Sequence, residues 1–167
     1  MATSSGDTIL ALGSGRLDRL VRFYEPEPSR GLQGHLAKSW EFSHKGKTLT
    51  LNLQDNVKWH DGTDFSAEDV AYSLNRMWNP PEGVYSSRQG WFVPVDQIVA
   101  VDATTLQMDF TSPFPIMIWQ LAYGQMGMNQ KAHLQANNND YSGMADYPGT
   151  GPFVYSSNTG NEVWKYV

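Results

Sequence analysis

Between Ser39 and Trp78 the hydrophobic period changes once, from strand-like to helix-like, and this constrains the fold more than any other feature. In "SWEFSHKGKTLTLNL", Trp40 and Phe42 alternate before a His44-Lys45-Gly46-Lys47 turn. Leu49, Leu51 and Leu53 alternate after it, leaving Thr48, Thr50 and Asn52 on the other side. That is an antiparallel hairpin with one buried face. "VKW" then predicts a short strand ending at the turn His60-Asp61-Gly62-Thr63. A helix follows at once. Ser66 is a good N-cap, and Asp69, a shorter substitute for the usual Glu or Gln, stands where it reaches back to the cap N–H. Phe65 and Val70 fit a hydrophobic staple, and Glu68 and Asp69 gain ~0.3–1 kcal/mol each from the helix dipole. Val70, Leu74 and Met77 form the buried stripe, and Asn79-Pro80-Pro81 ends the helix.

Around this unit the signals are shorter. Residues 1–15, with Gly6, Gly13 and Gly15, predict a loose or edge-strand start. "RLDRLVRFYEPEPSRG" carries Leu17, Leu20, Val21 and Tyr24 at helical spacing and breaks at Pro26 and Pro28. Strands return in "QIVAV" and "TLQMDF" about a turn at Asp102-Ala103-Thr104. Leu106, Met108 and Phe110 face one way, Gln107 and Asp109 the other. "SPFPIMIWQLAYG" suits a short apolar helix stopped at Gly124, and residues 130–141 hold one more before an Asn-rich loop. Two final strands flank a turn at Asn158-Thr159-Gly160-Asn161. No internal repeat is evident.

Composition removes several classes of function. A formal charge of −5, with 12 Lys and Arg in 167 residues and no basic cluster, argues against nucleic acid or an anionic membrane surface as partner. The absence of cysteine removes disulfides, thiolate metal sites and Cys nucleophiles. No apolar run is long enough to span a membrane, so direct membrane insertion is not expected. "MATSSGDTILALGSG" has neither a basic start nor a long apolar stretch, so no signal peptide is expected in this chain. The plentiful aromatics, including 6 Trp and 8 Tyr, fill a core of large residues or line a cleft.

His60-Asp61 invites a catalytic reading, as base and orienter. Neighbours in a strand point to opposite faces, Asp-Gly is itself a turn signal, and no nucleophile elbow accompanies the pair. No catalytic residue is therefore assigned. The four histidines, His35, His44, His60 and His133, lack a ligand spacing, so neither metal nor cofactor is expected. Gly149-Thr150-Gly151 lacks the Lys-Ser/Thr of a phosphate loop and suits a tight backbone turn. In "YSSRQGW", Tyr85, Arg88 and Trp91 form either a carboxylate site beside an aromatic wall or a surface loop whose Trp tucks onto the core.

Taken in order, Leu36-Ala37, Ser39-Trp40, the Gly-turn hairpin, Val57 to Gly62, Ser66-Ala67 with Asp69-Val70, "VAVDATTLQMDF" and "GTGPF" (149–153) resemble the signature of the family 5 extracytoplasmic solute-binding proteins. These are the dipeptide-, oligopeptide- and nickel-binding components of ABC importers. The resemblance runs from about Leu17 onward. It implies an α+β fold, an antiparallel or mixed β-sheet with a few packed helices. That would be one subdomain of a periplasmic-binding-protein-like fold (type II, cluster C). The expected division is 1–35 to the main lobe sheet, 36–148 to a small α+β subdomain, and 149–167 to strands returning to the main lobe. A complete member is about three times longer, so the chain is expected to be a fragment with an incomplete cleft.

The implied function is non-enzymatic binding of a small solute (peptide, nickel chelate or oligosaccharide) between lobes. The parent would be periplasmic or extracytoplasmic and would dock on the ABC transporter membrane subunits. Its alternative is a ligand-sensing domain of a transcriptional regulator or another non-transport interaction module. Tyr85, Arg88 and Trp91 are the ligand-binding candidates, because Arg88-Gln89-Gly90-Trp91 resembles an Arg-x-x-Trp stretch lining the cleft of nickel-binding relatives, suited to an anionic chelator. Trp40, His60, Asp61, Gly62, Ser66, Asp69, Gly149 and Gly151 are structural candidates. His60 is expected to bond nearby backbone, and Asp61 to cap local N–H groups.

Overall fold

The computed structural model describes residues 17–24, 31–140, 148–159 and 163–166. The start expected over 1–15, and Gly160 and Asn161 of the last turn, lie outside these residues. The first two strands, β1 (Val21–Phe23) and β2 (Leu32–Gly34), pair antiparallel, with Val21 opposite Gly34. This corrects the helical spacing read into Leu17–Tyr24. Leu20 and Val21 are adjacent yet both fully buried, and the Leu20 carbonyl accepts from the N–H groups of His35 and Ala37. Cross-strand pairing satisfies the backbone here, so the apolar spacing does not decide the local structure.

The hairpin forms as its alternation predicts, with β3 (Ala37–Ser43) and β4 (Thr48–Leu53) joined by a 3-10 turn at His44–Gly46. Gly46 has φ 83°, a left-handed conformation natural to glycine. Two further strands, β5 (Val95–Ala100) and β6 (Thr105–Phe110), complete a four-stranded antiparallel sheet in the order β3-β4-β6-β5. The inner face is continuous across strands: Leu49 lies opposite Met108, Leu51 opposite Leu106, and all four are fully buried. On the other face Thr48 Oγ donates to Asp109 at 2.8 Å, and Gln107 donates to the same carboxylate at 2.8 Å. The polar face thus ties two strands together while the apolar face packs.

The helix α1 (Ala67–Trp78) closes over that face, burying Val70, Leu74 and Met77, each gaining about 1.5–3 kcal/mol from burial. The Asn75 side-chain amide donates to the Ile98 carbonyl of β5 at 3.1 Å. The strand expected at "VKW" is instead a single bridge between Lys58 and Asp64, whose side chains also form an ion pair. Trp59 is the anchor there: it is buried, it packs edge-on to Phe65, and its backbone N–H donates to the Thr63 carbonyl at 2.9 Å. Two short helices follow, α2 (Met117–Gln120) and α3 (Lys131–Ala136), with a 3-10 turn at Gly124–Met126 where a simple stop was expected. A last antiparallel pair, β7 (Tyr155–Thr159) and β8 (Val163–Tyr166), stands at the C-terminal side of Gly149–Gly151.

Candidate functional site

The loop after α1 is pinned by two buried polar side chains. Ser86 Oγ donates to the Met77 carbonyl at 2.7 Å, and Arg88 Nη1 donates to the Gln125 carbonyl at 2.7 Å. The chain then makes a 3-10 turn, Gln89–Phe92, with Phe92 fully buried and Trp91 half-buried. Facing Trp91 is the outer stripe of the α2 segment. Met117, Ile118, Leu121 and Ala122 are buried, so Ile116, Trp119, Gln120 and Tyr123, at helical spacing on the other side, turn outward. Arg19 Nη1 ties the end of this segment by donating to the Ala122 carbonyl at 2.8 Å.

Between the two walls lies a groove of about 460 Å³ lined by Trp91, Ile116, Trp119, Gln120, Tyr123 and Gln125. Its aromatic rings are fixed edge-to-face: Trp91 to Tyr123 at 5.6 Å and 72°, and Tyr123 to Phe23 at 5.5 Å and 87°. Trp119 stays 41% and Tyr123 48% exposed, so the groove presents unpartnered aromatic surface. No lining side chain is charged.

The three ligand candidates separate. Trp91 lines the groove. Arg88 is only 7% exposed and engages the Gln125 backbone, while Tyr85 is 65% exposed and is not part of the lining. Ile116, Trp119, Gln120, Tyr123 and Gln125 were missed by the sequence reading. A signal was present: "PIMIWQLAY" carries large apolar residues on both sides of a helix too short to bury both.

Apart from Trp40, the residues assigned to structure gather at the turn His60-Asp61-Gly62-Thr63 and at the helix start that follows it. His60 Nδ1 accepts from the Gly149 N–H at 3.1 Å, so its proton is on Nε2, which donates to the Gly151 carbonyl at 2.7 Å. Asp61 Oδ1 accepts from the Thr63 N–H at 3.0 Å and hydroxyl at 2.6 Å, and Oδ2 accepts from the Gln130 amide at 2.7 Å. Burial opposes ionisation of Asp61, but the hydrogen bonds from Thr63 and Gln130 outweigh it and hold the carboxyl below its ordinary value. Gly62 takes φ 86° to close the turn. Both nitrogens of the imidazole therefore serve backbone, and the carboxylate serves its own turn and Gln130. Asp69 Oδ2 accepts from the Ser66 N–H and hydroxyl, each at 3.0 Å, and Oδ1 accepts from the Lys131 N–H at 2.9 Å. Trp40 is half-buried on β3 opposite Leu51. Among the described residues no cluster of three or more His, Asp or Glu could hold a metal ion, and no helix is long and apolar enough to cross a membrane.

Comparison with known proteins agrees with this architecture. The family model for the bacterial extracellular solute-binding proteins, family 5, middle region, matches residues 31–167. The glutathione-binding protein GsiB of Escherichia coli K12 is 32% identical over 123 residues, 73% of this chain and 23% of that protein. A dipeptide-binding protein of the same strain is 30% identical over 148 residues, 80% of this chain and 27% of that one. Among solved structures, NikZ from Campylobacter jejuni in complex with Ni(L-His) superposes with a TM-score of 0.77 at 30% identity, covering 90% of this chain and 29% of that one. The chain thus spans about a quarter of the length of the curated relatives it matches. On the family match over most of its length, this chain belongs to the family 5 bacterial extracellular solute-binding proteins.

Proposed function

We propose that this chain supplies one wall of a solute-binding cleft in the binding component of an ABC importer. A peptide or similar small solute is held without chemical change between this wall and another lobe. The parent acts outside the cytoplasm and docks on the transporter's membrane subunits, and the chain divides at 1–35, 36–148 and 149–167. The observation that carries the reading is the aromatic groove at Trp91, Trp119 and Tyr123, in a chain whose relatives are named for binding glutathione, dipeptide and a nickel–histidine complex. Solute sites are concave, mainly apolar and dressed with a few polar groups, as this groove is. Of the ligand candidates, Trp91 contacts solute, Arg88 positions the lining residue Gln125 through its carbonyl, and Tyr85, exposed and outside the lining, contacts only solute that extends beyond the groove.

The test is a titration of the isotopically labelled chain with dipeptides, followed by NMR. Shifts gathered at Trp91, Trp119 and Tyr123, in the millimolar range and with the peptide recovered intact, are expected. Shifts gathered elsewhere, or cleavage of the peptide, would overturn the proposal.

A further inference from the structure

We infer that the group this groove receives is an uncharged aromatic ring, and not a carboxylate or other charged terminus. The inference rests on the reading of the groove as a solute wall. Its first support is charge. The lining consists of two tryptophans, a tyrosine, an isoleucine and two glutamines, and the nearby cation of the loop, Arg88, is buried and directed to the Gln125 carbonyl. A carboxylate entering here loses water to a lining that carries no charge, which is costly.

The second support is ring geometry. Tyr123 is held edge-on between Trp91 and Phe23, and Trp119 lies 6.3 Å from Phe23 at 40°. A rigid aromatic surface of this kind offers flat contact area at low entropy cost, which suits a planar partner. An aromatic side chain of a peptide meets both requirements.

The experiment compares three probes by NMR at neutral pH on the labelled chain: N-acetyl-L-tryptophanamide, the anionic N-acetyl-L-tryptophan, and methyl β-D-glucoside. The neutral amide is expected to shift the indole N–H signals of Trp91 and Trp119 with a Kd at least about tenfold below that of the anion. A response to the glucoside in place of the amide overturns the inference while leaving the solute wall standing. Equal or tighter binding of the anion overturns the inference while leaving the solute wall standing. No shift at the groove with any of the three probes overturns the inference, while the solute wall stands or falls with the dipeptide titration.

Discussion

The imidazole of His60 donates from Nε2 to the carbonyl of Gly151 at 2.7 Å, joining residues 91 apart in sequence. With Gly149 N–H on Nδ1 and its own N–H on the Gly149 carbonyl at 2.8 Å, one residue makes three bonds to a segment that has no strand partner there. Thr150 adds a fourth by donating to Asp18 at 3.0 Å. The motif that looked reactive fastens the chain's return. His60→Ala should therefore destabilise the protein by about 1–3 kcal/mol, because it leaves a backbone donor and acceptor unpaired. A urea midpoint measures the loss, and faster exchange of the Gly149 amide than of the Leu51 amide would locate it.

Asp69 should matter more than Ser66. The Ser66 hydroxyl itself donates to Asp69, whereas Asp69 receives the Ser66 and Lys131 N–H groups and so ties the start of α1 to the start of α3. Ser66→Ala should cost about 0.5–2 kcal/mol. Asp69→Ala should cost about 2–4 kcal/mol, since the Ser66 and Lys131 N–H groups, the Ser66 hydroxyl and the Trp59 indole N–H all lose their acceptor. Equal urea midpoints for the two variants would contradict the ranking.

Stability should fall as pH drops below the ordinary histidine value. Burial holds the His35 imidazole below 6.5, against the pull of Asp18 at 3.5 Å and aided by Arg22 and Arg19. The unfolded chain therefore takes up the proton first, so native stability is full above 6.5 and is lost as pH falls from there through the lower folded value. Thermal midpoints of the protein and of His35→Gln, followed across that range, should show a shallower acid-side slope in the variant. An identical slope would remove His35 as the cause.

Gly34 is indispensable for a reason no turn signal reveals. A Cβ there would collide with the backbone carbonyl oxygen of Ala37, where the chain doubles back from β2 into β3. Gly34→Ala should cost about 1–3 kcal/mol by overpacking. Gly90→Ala meets no atom within 4 Å and should stay within about 0.5 kcal/mol of the parent. Paired denaturation curves test both, and an equal loss in each would point to something other than the collision.

The hairpin and the α1 helix were legible because their causes lie within a few residues: Leu49, Leu51 and Leu53 alternate, and Ser66, Asp69 and Val70 mark one helix start. The same local causes gave β5, β6 and α3. They failed at Val21–Phe23, where the apolar spacing suggested a helix and backbone pairing with Leu32–Gly34 made a strand. At Lys58–Asp64 only a bridge formed, because Trp59 buries itself against Phe65 and draws the chain out of extended pairing. The candidate site was half legible. Trp91 lines the groove, but whether Arg88 faced solvent or backbone depended on Gln125, 37 residues away.

By itself, then, the sequence determined the periodicity, caps and turns of the central unit and the ordered motifs that resemble the family, since each depends on near neighbours. Only the tertiary structure decided that β6 lies beside β4, that His60 clasps Gly149 and Gly151, and that Trp119 and Tyr123 face a groove with Trp91. Those outcomes rest on contacts between segments distant in sequence, where burial and backbone pairing choose among locally equivalent possibilities.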